Sequence, residues 1–152
     1  MAKNFVSNKD ETVRMFDNSV LESLTRIHFT VPLFIFIPVI FYFGYRSVFV
    51  FDLSWLKIAA YIILGLGVWT LTEYVLHRFL FHWKPPGRIG ERMHFIFHGV
   101  HHDYPSDSKR LVMVPTVSIP LSALFYLLFK VMLGPLNVAP FFIGFLIGYL
   151  FY

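Results

Sequence analysis

The fold of this chain is decided by residues 55–82, WLKIAAYIILGLGVWTLTEYVLHRFLFH, in which a long apolar run leads directly into two histidines. The part Ile58–Thr72 carries no charge, and the run Trp55–Leu76 reaches the ~17–25 residues that a membrane-spanning helix needs. Gly65 and Gly67 leave room within it for close packing against a neighbouring helix. The stretch therefore predicts a membrane-spanning helix with a polar, histidine-bearing end.

The composition of the whole chain is typical of a membrane protein. Of the 152 residues, 57% are hydrophobic and 20% aromatic, and only 14% are charged, against about 25% in a typical soluble domain. These proportions exclude both a water-soluble single domain and a disordered chain. The lack of cysteine excludes disulfides, thiolate zinc sites, iron–sulfur clusters and thiol catalysis. Any metal site must therefore be built from His, Asp or Glu.

Other apolar runs predict further membrane helices. They are Phe29–Tyr45, which contains Pro32 and Pro38, Leu111–Phe129, which contains Pro115 and Pro120, and a last run that follows Gly134-Pro135 and reaches Tyr152. In the last run, Gly144 and Gly148 form a GxxxG pattern that predicts a packing face. The predicted fold class is all-α: a multi-pass membrane protein with four transmembrane helices and a cytoplasmic histidine-rich helical segment.

The basic residues alternate along the chain in a way that predicts its orientation. Four precede the first apolar run, two lie between the first and second runs, six between the second and third, and one near the end of the third. Lys and Arg collect on the cytoplasmic side of short loops, so the N-terminus and the histidine-rich loop are predicted inside. The orientation of the chain in the membrane thus accounts for the excess of basic residues that gives the net charge of +4, and no nucleic-acid partner is expected.

The chain is expected to form one integral-membrane domain over residues 1–152. Its predicted parts are a polar, interfacial N-terminus (1–28), a first helical hairpin (29–76), a cytoplasmic histidine-rich segment (77–110) and a second helical hairpin (111–152). Ser19 and Glu22 form a capping-box pattern, and Ser19–His28 is predicted as an interfacial amphipathic helix. The last run ends with no charge after Lys130, so the chain is expected to be cut short, with a natural end in the headgroup region as the alternative.

Six of the seven histidines lie between residues 77 and 102. On a regular helix, His94, His98 and His102 would shift by only ~40° at each step, and His101 would lie ~60° to the other side of His98. One helix face would then present all four rings. Imidazole is a common ligand of iron, zinc and copper, and neutral rings held close together are stabilised by a cation. His101 and His102 point about 100° apart, which suits two neighbouring ions.

His77 and His82 would be ~140° out of phase on a regular helix. The helix is therefore predicted to end between them so that both can face one site, and the Pro85-Pro86-Gly87 sequence supports such an end. Glu73, one turn before His77, is a candidate to accept the second ring N–H of His77. The alternative for this carboxylate is an ion pair with Arg78 or Arg92.

These stretches resemble a known family. Residues 73–82 and 94–107, followed by 110–115, carry the patterns HxxxxH, HGxHHxxPxD and RLVxxP. They resemble the fatty acid 2-hydroxylase branch of the membrane fatty acid hydroxylase and sterol desaturase superfamily, from about Ser19 to the end of the chain. The resemblance implies a four-helix membrane anchor, a cytoplasmic cap, and a histidine-rich dimetal centre that uses O₂ and two electrons to hydroxylate the carbon next to a fatty acyl carboxyl group.

Carried over residue by residue, the resemblance implies five metal ligands: His77, His82, His98, His101 and His102. His94 matches a residue that recurs in the motif without being a ligand, so His94 and Glu73 are candidates for a ligand or an outer-shell partner. Two iron ions are expected, because an unactivated C–H bond demands a redox metal, with zinc possible as an isolated form. The family has further ligands in an HxxxH box and a second HxxHH box, which would begin where this sequence stops. Since two ions need about eight donors, residues 1–152 alone are expected to be inactive.

The resemblance also implies partners and a location. The expected partners are the lipid bilayer, a fatty acyl or sphingolipid substrate, and an external electron donor, either a b-type cytochrome or a reductase. The expected location is the endoplasmic reticulum membrane of a eukaryote or the cytoplasmic membrane of a bacterium, with the metal site on the cytoplasmic side. The alternatives are a sterol or carotenoid hydroxylase or desaturase, against which the RLVMVP stretch argues, and a non-catalytic metal-binding membrane protein.

Overall fold

The computed structural model describes residues 9–10, 14–83, 86–95, 99–110 and 112–151, without the side chains of Met93, His101 and His102. All regular structure in these residues is helical, which confirms the all-α prediction. The α-helices are α1 Ser19–Leu24, α2 Val31–Tyr45, α3 Trp55–Val75, α4 Gly87–His94, α5 Val100–Asp103 and α6 Pro115–Phe151. Two π-helical turns, Arg46–Val50 and Leu76–Phe81, directly continue α2 and α3.

The chain divides into two compact units. The membrane unit comprises residues 32–74 and 118–152, and the histidine unit comprises residues 1–31 and 75–117. Three of the described helices are long and apolar enough to cross a membrane, namely Val31–Val50, Trp55–Phe81 and Pro115–Phe151. The protein is an integral membrane protein.

The third of these helices is interrupted at Gly134. Gly134 has φ 76° and ψ 167°, a conformation open to glycine and reinforced by Pro135, which pushes the residue before it towards extended backbone. The ring centroids of Phe125 and Phe145 lie 5.1 Å apart, although a straight helix would separate these residues by about 30 Å. The chain therefore reverses at Gly134, as the sequence predicts, and α6 consists of two antiparallel arms. The fold supplies four apolar segments, and four membrane crossings remain the prediction for their arrangement in a bilayer.

The core of the membrane unit is aromatic and lies between the arms of α6 and their neighbours. Its buried residues are Phe36, Phe129, Val138, Phe141, Phe142, Phe145 and Leu146. Most of their ring contacts are edge-to-face, such as Phe129 on Phe141 with centroids 4.8 Å apart, the arrangement that the ring quadrupoles favour. Since lipid is as apolar as these side chains, close packing holds the unit together.

Glycines determine how closely the membrane helices approach. A Cβ at Gly65 would overlap the carbonyl oxygen of Phe141, and one at Gly148 would lie 2.5 Å from the Trp69 ring. The predicted packing roles of Gly65 and the GxxxG pattern are thus confirmed. The same prediction for Gly67 is wrong, because a Cβ there would meet no described atom within 4 Å. Gly67 lies two residues from Gly65, which turns it by about 200° to another face of α3.

Several predicted helix boundaries are corrected. The first membrane helix begins at Val31 rather than Phe29, with Pro32 in its first turn, where a proline removes no helical hydrogen bond. The second ends its α-helical part at Val75 rather than Leu76. The third begins at Pro115 rather than Leu111, because the fixed φ of proline suits the first helical position.

The N-terminal helix also differs from its prediction. It ends at Leu24 rather than His28, and its N-cap is Asn18, whose side chain accepts hydrogen bonds from the backbone N–H groups of Val20 and Leu21. The capping box predicted for Ser19 and Glu22 is therefore wrong. Glu22 is buried and bonded elsewhere. The apolar side chains of the helix are exposed, as an interfacial helix requires, with Val20 68% exposed and Leu21 and Leu24 each 48% exposed.

Candidate metal centre

A π-helical turn brings the first two predicted ligands together. The backbone N–H of His82 donates to the carbonyl oxygen of His77 at 3.2 Å, an i to i+5 hydrogen bond within the turn Leu76–Phe81. A π-turn holds more residues per turn than an α-helix, so side chains five positions apart come to the same side. The helix ends at Phe81, between His77 and His82, as predicted, and its last turn is π-helical. This change of winding brings the two histidines to the same side, and such turns often mark functional sites.

The geometry of this pair suits a shared metal ion. The Nε2 atoms of His77 and His82 lie 3.0 Å apart, with ring centroids 4.8 Å apart and ring planes at 61°. Two nitrogens bound to one ion at about 2.05 Å are about 2.9 Å apart at a right angle and about 3.3 Å apart at a tetrahedral angle. The separation of the two nitrogens, which in the structure is that of a hydrogen bond between the rings, is compatible with two ligands of one ion. His77 is half-buried and His82 is exposed.

Exposed aromatic and apolar side chains surround the histidine pair. Phe79 is 66% exposed and Trp83 is 61% exposed, and Leu80 is exposed between them. On the buried side, the ring of Phe81 lies edge-on to His77, with centroids 6.3 Å apart. Exposed Trp and Phe side chains at the end of an apolar helix are typical of the membrane–water boundary. The pair therefore has the surroundings of a site at the bilayer surface.

The second group of predicted ligands is only partly described. His94 ends α4, and its ring lies beside Gly99, with Nδ1 3.5 Å from the position of a Gly99 Cβ. His101 and His102 lie within α5 by their backbone, but their side chains and the whole of His98 lie outside the described residues. Among the described side chains, no three or more His, Asp or Glu residues converge as a metal would require. Assignment of His98, His101 and His102 as ligands, and of His94 as a non-ligand, stays a prediction.

Two other predicted residues lie in defined surroundings. Glu73 is buried in α3 and 8% exposed, and its hydrogen bond to His77 stays a prediction. His28, the histidine outside the cluster, is exposed, and its Nδ1 lies 2.9 Å from the Thr30 hydroxyl. Its ring also packs on Phe29, with centroids 4.4 Å apart. His28 is therefore engaged with its own neighbours along the chain.

The sequence analysis missed a buried charged cluster in the histidine unit. It consists of Glu22, Asp107 and Arg110, which are 6%, 1% and 8% exposed. Arg110 was predictable as part of the RLVxxP pattern and Asp107 as part of HGxHHxxPxD, but nothing in the sequence pairs them with Glu22. Burial lowers the pKa of Arg110, while the charges of Glu22 and Asp107 act in the opposite direction. The guanidinium stays charged at neutral pH, because the ordinary pKa of an arginine is far above neutrality.

The fold and the site together define an integral-membrane helical protein with a candidate histidine metal centre at the end of an apolar helix. The sequence model of the fatty acid hydroxylase family matches residues 62–152, which include the π-turn and all six clustered histidines. The chain belongs to the fatty acid hydroxylase family. This family is generally metal-dependent.

Individual relatives agree with this membership. The chain is 36% identical to a dihydroceramide fatty acyl 2-hydroxylase of Arabidopsis thaliana, over 93% of the chain and 60% of the relative. It is 32% identical to the fatty acid 2-hydroxylase of Rattus norvegicus, over 92% of the chain and 43% of the relative. It is 39% identical to the ceramide very long chain fatty acid hydroxylase of Saccharomyces cerevisiae, over 87% of the chain and 35% of the relative.

A solved structure shares the fold. The structure of full-length Scs7p, in which only the hydroxylase domain is visible, matches with a TM-score of 0.79 and 40% identity, over 90% of this chain and 52% of that one. The chain therefore spans between about a quarter and three fifths of the length of the curated relatives that it matches. The resemblance to the fatty acid 2-hydroxylase branch is thereby confirmed.

Proposed function

We propose that the protein hydroxylates carbon 2 of a fatty acyl chain at a centre of two iron ions held by His77, His82, His98, His101 and His102. The observation that carries this proposal is the 3.0 Å separation of the His77 and His82 Nε2 atoms on a π-turn. It falls within the region matched by the family. The names of the relatives, which are fatty acid and ceramide hydroxylases, support an acyl substrate.

The reaction balances as a two-electron oxygenation. One atom of O₂ is inserted into the C–H bond at carbon 2, the other leaves as water, and two electrons and two protons are taken up. Iron, when bound, supplies the redox chemistry that an unactivated C–H bond demands and that zinc does not offer. The electrons come from a b-type cytochrome or a reductase.

The position of the histidine pair favours oxidation close to the polar end of the lipid. His77 and His82 follow directly on the apolar helix α3 and are flanked by the exposed side chains of Phe79 and Trp83. A fatty acyl lipid keeps its carboxyl or amide group at the bilayer surface and its tail in the hydrocarbon core. Carbon 2 is bonded to that polar carbon, so a site at the surface reaches it without pulling the tail out of the membrane.

The side of the membrane follows from the charge distribution. The N-terminus and the loop that carries the six histidines hold most of the Lys and Arg residues, so both are assigned to the cytoplasmic side. In a eukaryote the membrane would be that of the endoplasmic reticulum, and in a bacterium the cytoplasmic membrane. Soluble or membrane-bound reductants then have direct access to the centre.

The test is expression of the complete gene that encodes this chain, in a host without 2-hydroxylated lipids. The extracted lipids are hydrolysed and analysed by mass spectrometry. We expect 2-hydroxy fatty acids from the unaltered protein and from His28→Ala, whose ring lies outside the cluster, and at least a 100-fold loss with His82→Ala. Hydroxylated sterols or carotenoids in their place would overturn the proposal in favour of another branch of the superfamily. Bound metal without any product would overturn it in favour of a non-catalytic metal-binding protein.

A further inference from the structure

In the buried cluster of Glu22, Asp107 and Arg110, both oxygens of the Glu22 carboxylate have hydrogen-bond partners. Glu22 Oε1 accepts from Arg110 Nη2 at 2.7 Å and from Arg26 Nη2 at 2.5 Å. Glu22 Oε2 accepts from the backbone N–H groups of Met15 at 2.9 Å and Phe16 at 3.0 Å. Both oxygens are therefore engaged, and the carboxylate joins two backbone amides of its own segment to a guanidinium 88 residues away.

Hydrogen bonds connect this cluster step by step to helix α5. Arg110 Nε lies 3.6 Å from Asp107 Oδ2, and the Arg110 N–H donates to the Asp107 carbonyl oxygen at 3.0 Å. The Asp107 N–H donates to the Tyr104 carbonyl oxygen at 3.2 Å, and the Tyr104 N–H donates to that of Val100 at 2.9 Å. Val100 is the first residue of α5, which contains His101 and His102.

Two further hydrogen bonds join the N-terminal segment to the turn that follows α5, and neither involves a buried charge. The Ile27 N–H donates to the Lys109 carbonyl oxygen at 2.8 Å, and the Ser108 N–H donates to Asp10 Oδ1 at 3.0 Å. Burying three charges is expensive, and a buried ion pair often stabilises a fold less than apolar residues of the same size would. Hydrogen bonds already join the N-terminal segment to residues 108 and 109. We therefore expect the charged cluster to contribute more to the orientation of these segments than to the stability of the unit. The cluster fixes the angle at which Arg110, and the turn leading back to α5, meet the N-terminal segment.

We infer that Glu22 is a positioning residue for the metal centre: through Arg110 and Asp107 it fixes the turn that follows α5, and so the orientation of the helix that presents His101 and His102. The N-terminal segment, which holds none of the predicted ligands, thus has a defined part in building the site. This inference rests on the proposed function, because it takes His101 and His102 as metal ligands. Outer-shell changes of this kind typically weaken metal binding by about 10- to 100-fold.

The test compares Glu22→Gln with Glu91→Gln in the protein from the complete gene, purified in detergent. Glu91 is an exposed glutamate of α4 in the same unit, so its variant controls for the loss of one carboxylate. Cobalt(II) affinity is measured by chelator competition, the visible spectrum of the cobalt form is recorded, and amide hydrogen exchange is followed over residues 99–110. For Glu22→Gln we expect at least a 10-fold weaker affinity, an altered spectrum and faster exchange over 99–110. Glu91→Gln should match the unaltered protein in all three measurements.

A structural role alone would give a different result. Lower thermal stability of Glu22→Gln with unchanged affinity, spectrum and exchange over 99–110 would overturn the inference. If Glu22→Gln does not fold, Glu22→Asp takes its place, and because it keeps the charge it should lose less cobalt affinity than Arg110→Gln or Asp107→Asn. Equal affinity in Glu22→Asp and in Glu22→Ala would also overturn the inference. Failure of the proposed function is distinguishable, because His82→Ala would then leave cobalt affinity unchanged, whereas the exchange measurement needs no metal.

Discussion

Gly144 lies directly against the backbone of Ile62, so closely that a Cβ on this glycine would overlap the Ile62 carbonyl oxygen. The second arm of α6 thereby approaches α3 backbone to backbone, as small residues allow in membrane helix pairs. This contact fixes the packing of α3, the helix that continues into the π-turn. A single methyl group added at Gly144 therefore tests the contact.

We expect Gly144→Ala to destabilise the protein by about 1–3 kcal/mol, because overpacking a close contact forces the backbone apart. The matched control is Gly67→Ala, which adds the same methyl group to the facing helix where no described atom lies within 4 Å. That control should be neutral or slightly stabilising, since alanine favours a helix interior over glycine by about 1 kcal/mol. Thermal unfolding in detergent measures both, and equal melting temperatures for the two variants would contradict the packing described here.

His82→Ala is expected to lower the bound metal to about half or less, because His77 alone cannot replace the paired nitrogens of one ion. The comparison variant is His28→Ala, whose ring contacts only Thr30 and Phe29 among the contacts described above. Metal content per protein, measured by inductively coupled plasma mass spectrometry after size-exclusion chromatography, checks the expectation. Full metal content in His82→Ala would remove this histidine from the site.

His94→Ala is expected to keep part of both metal and activity, whereas His98→Ala, His101→Ala or His102→Ala should abolish hydroxylation. The reason is that His94 is the last residue of α4, next to Gly99, while His101 and His102 lie within α5. The same metal analysis and product assay apply to all four variants. An equal loss in His94→Ala would make this residue a ligand.

The stability of the histidine unit should depend on pH, because the Glu22 carboxylate is protonated as the pH falls. Burial raises the pKa of this carboxyl, but hydrogen bonds from the Met15 and Phe16 N–H groups, together with Arg26 and Arg110, outweigh burial and hold the pKa below its ordinary 4.5. A carboxyl with a lowered folded-state pKa contributes stability that is complete above the unfolded-state pKa and is lost as the pH falls through the folded-state value. The melting temperature should therefore fall as the pH drops below 4.5, more steeply in the unaltered protein than in Glu22→Gln. Parallel pH profiles would show that Glu22 does not carry this dependence.

The topology can be tested with introduced cysteines, because the chain has none of its own. Ser54→Cys lies between the first two membrane helices and Arg88→Cys lies on α4, and both positions are exposed. With four crossings, a membrane-impermeant thiol reagent added to sealed vesicles should label one position from outside and the other only after permeabilisation. Labelling of both from the same side would show that the predicted four-span topology is wrong.

The sequence was enough to predict the features that depend on local chemistry. Apolar length predicts the membrane helices, and Gly134-Pro135 predicts the reversal, because a positive φ and a proline act on the backbone at their own positions. The histidine spacings predict that a metal site lies beside the second membrane helix. Each of these inferences needs only neighbouring residues and the properties of a bilayer.

Tertiary structure alone decided how His77 and His82 meet and what Glu22 does. An α-helix and a π-turn differ by one residue in the hydrogen bond that closes the turn, a small difference that the packing around the helix end decides. Glu22 follows a helix start and so resembles a cap, but its partner Arg110 is 88 residues away. Such a pair forms only when folding removes both charges from water together, because each is stable buried only in the presence of the other. No local pattern carries that information.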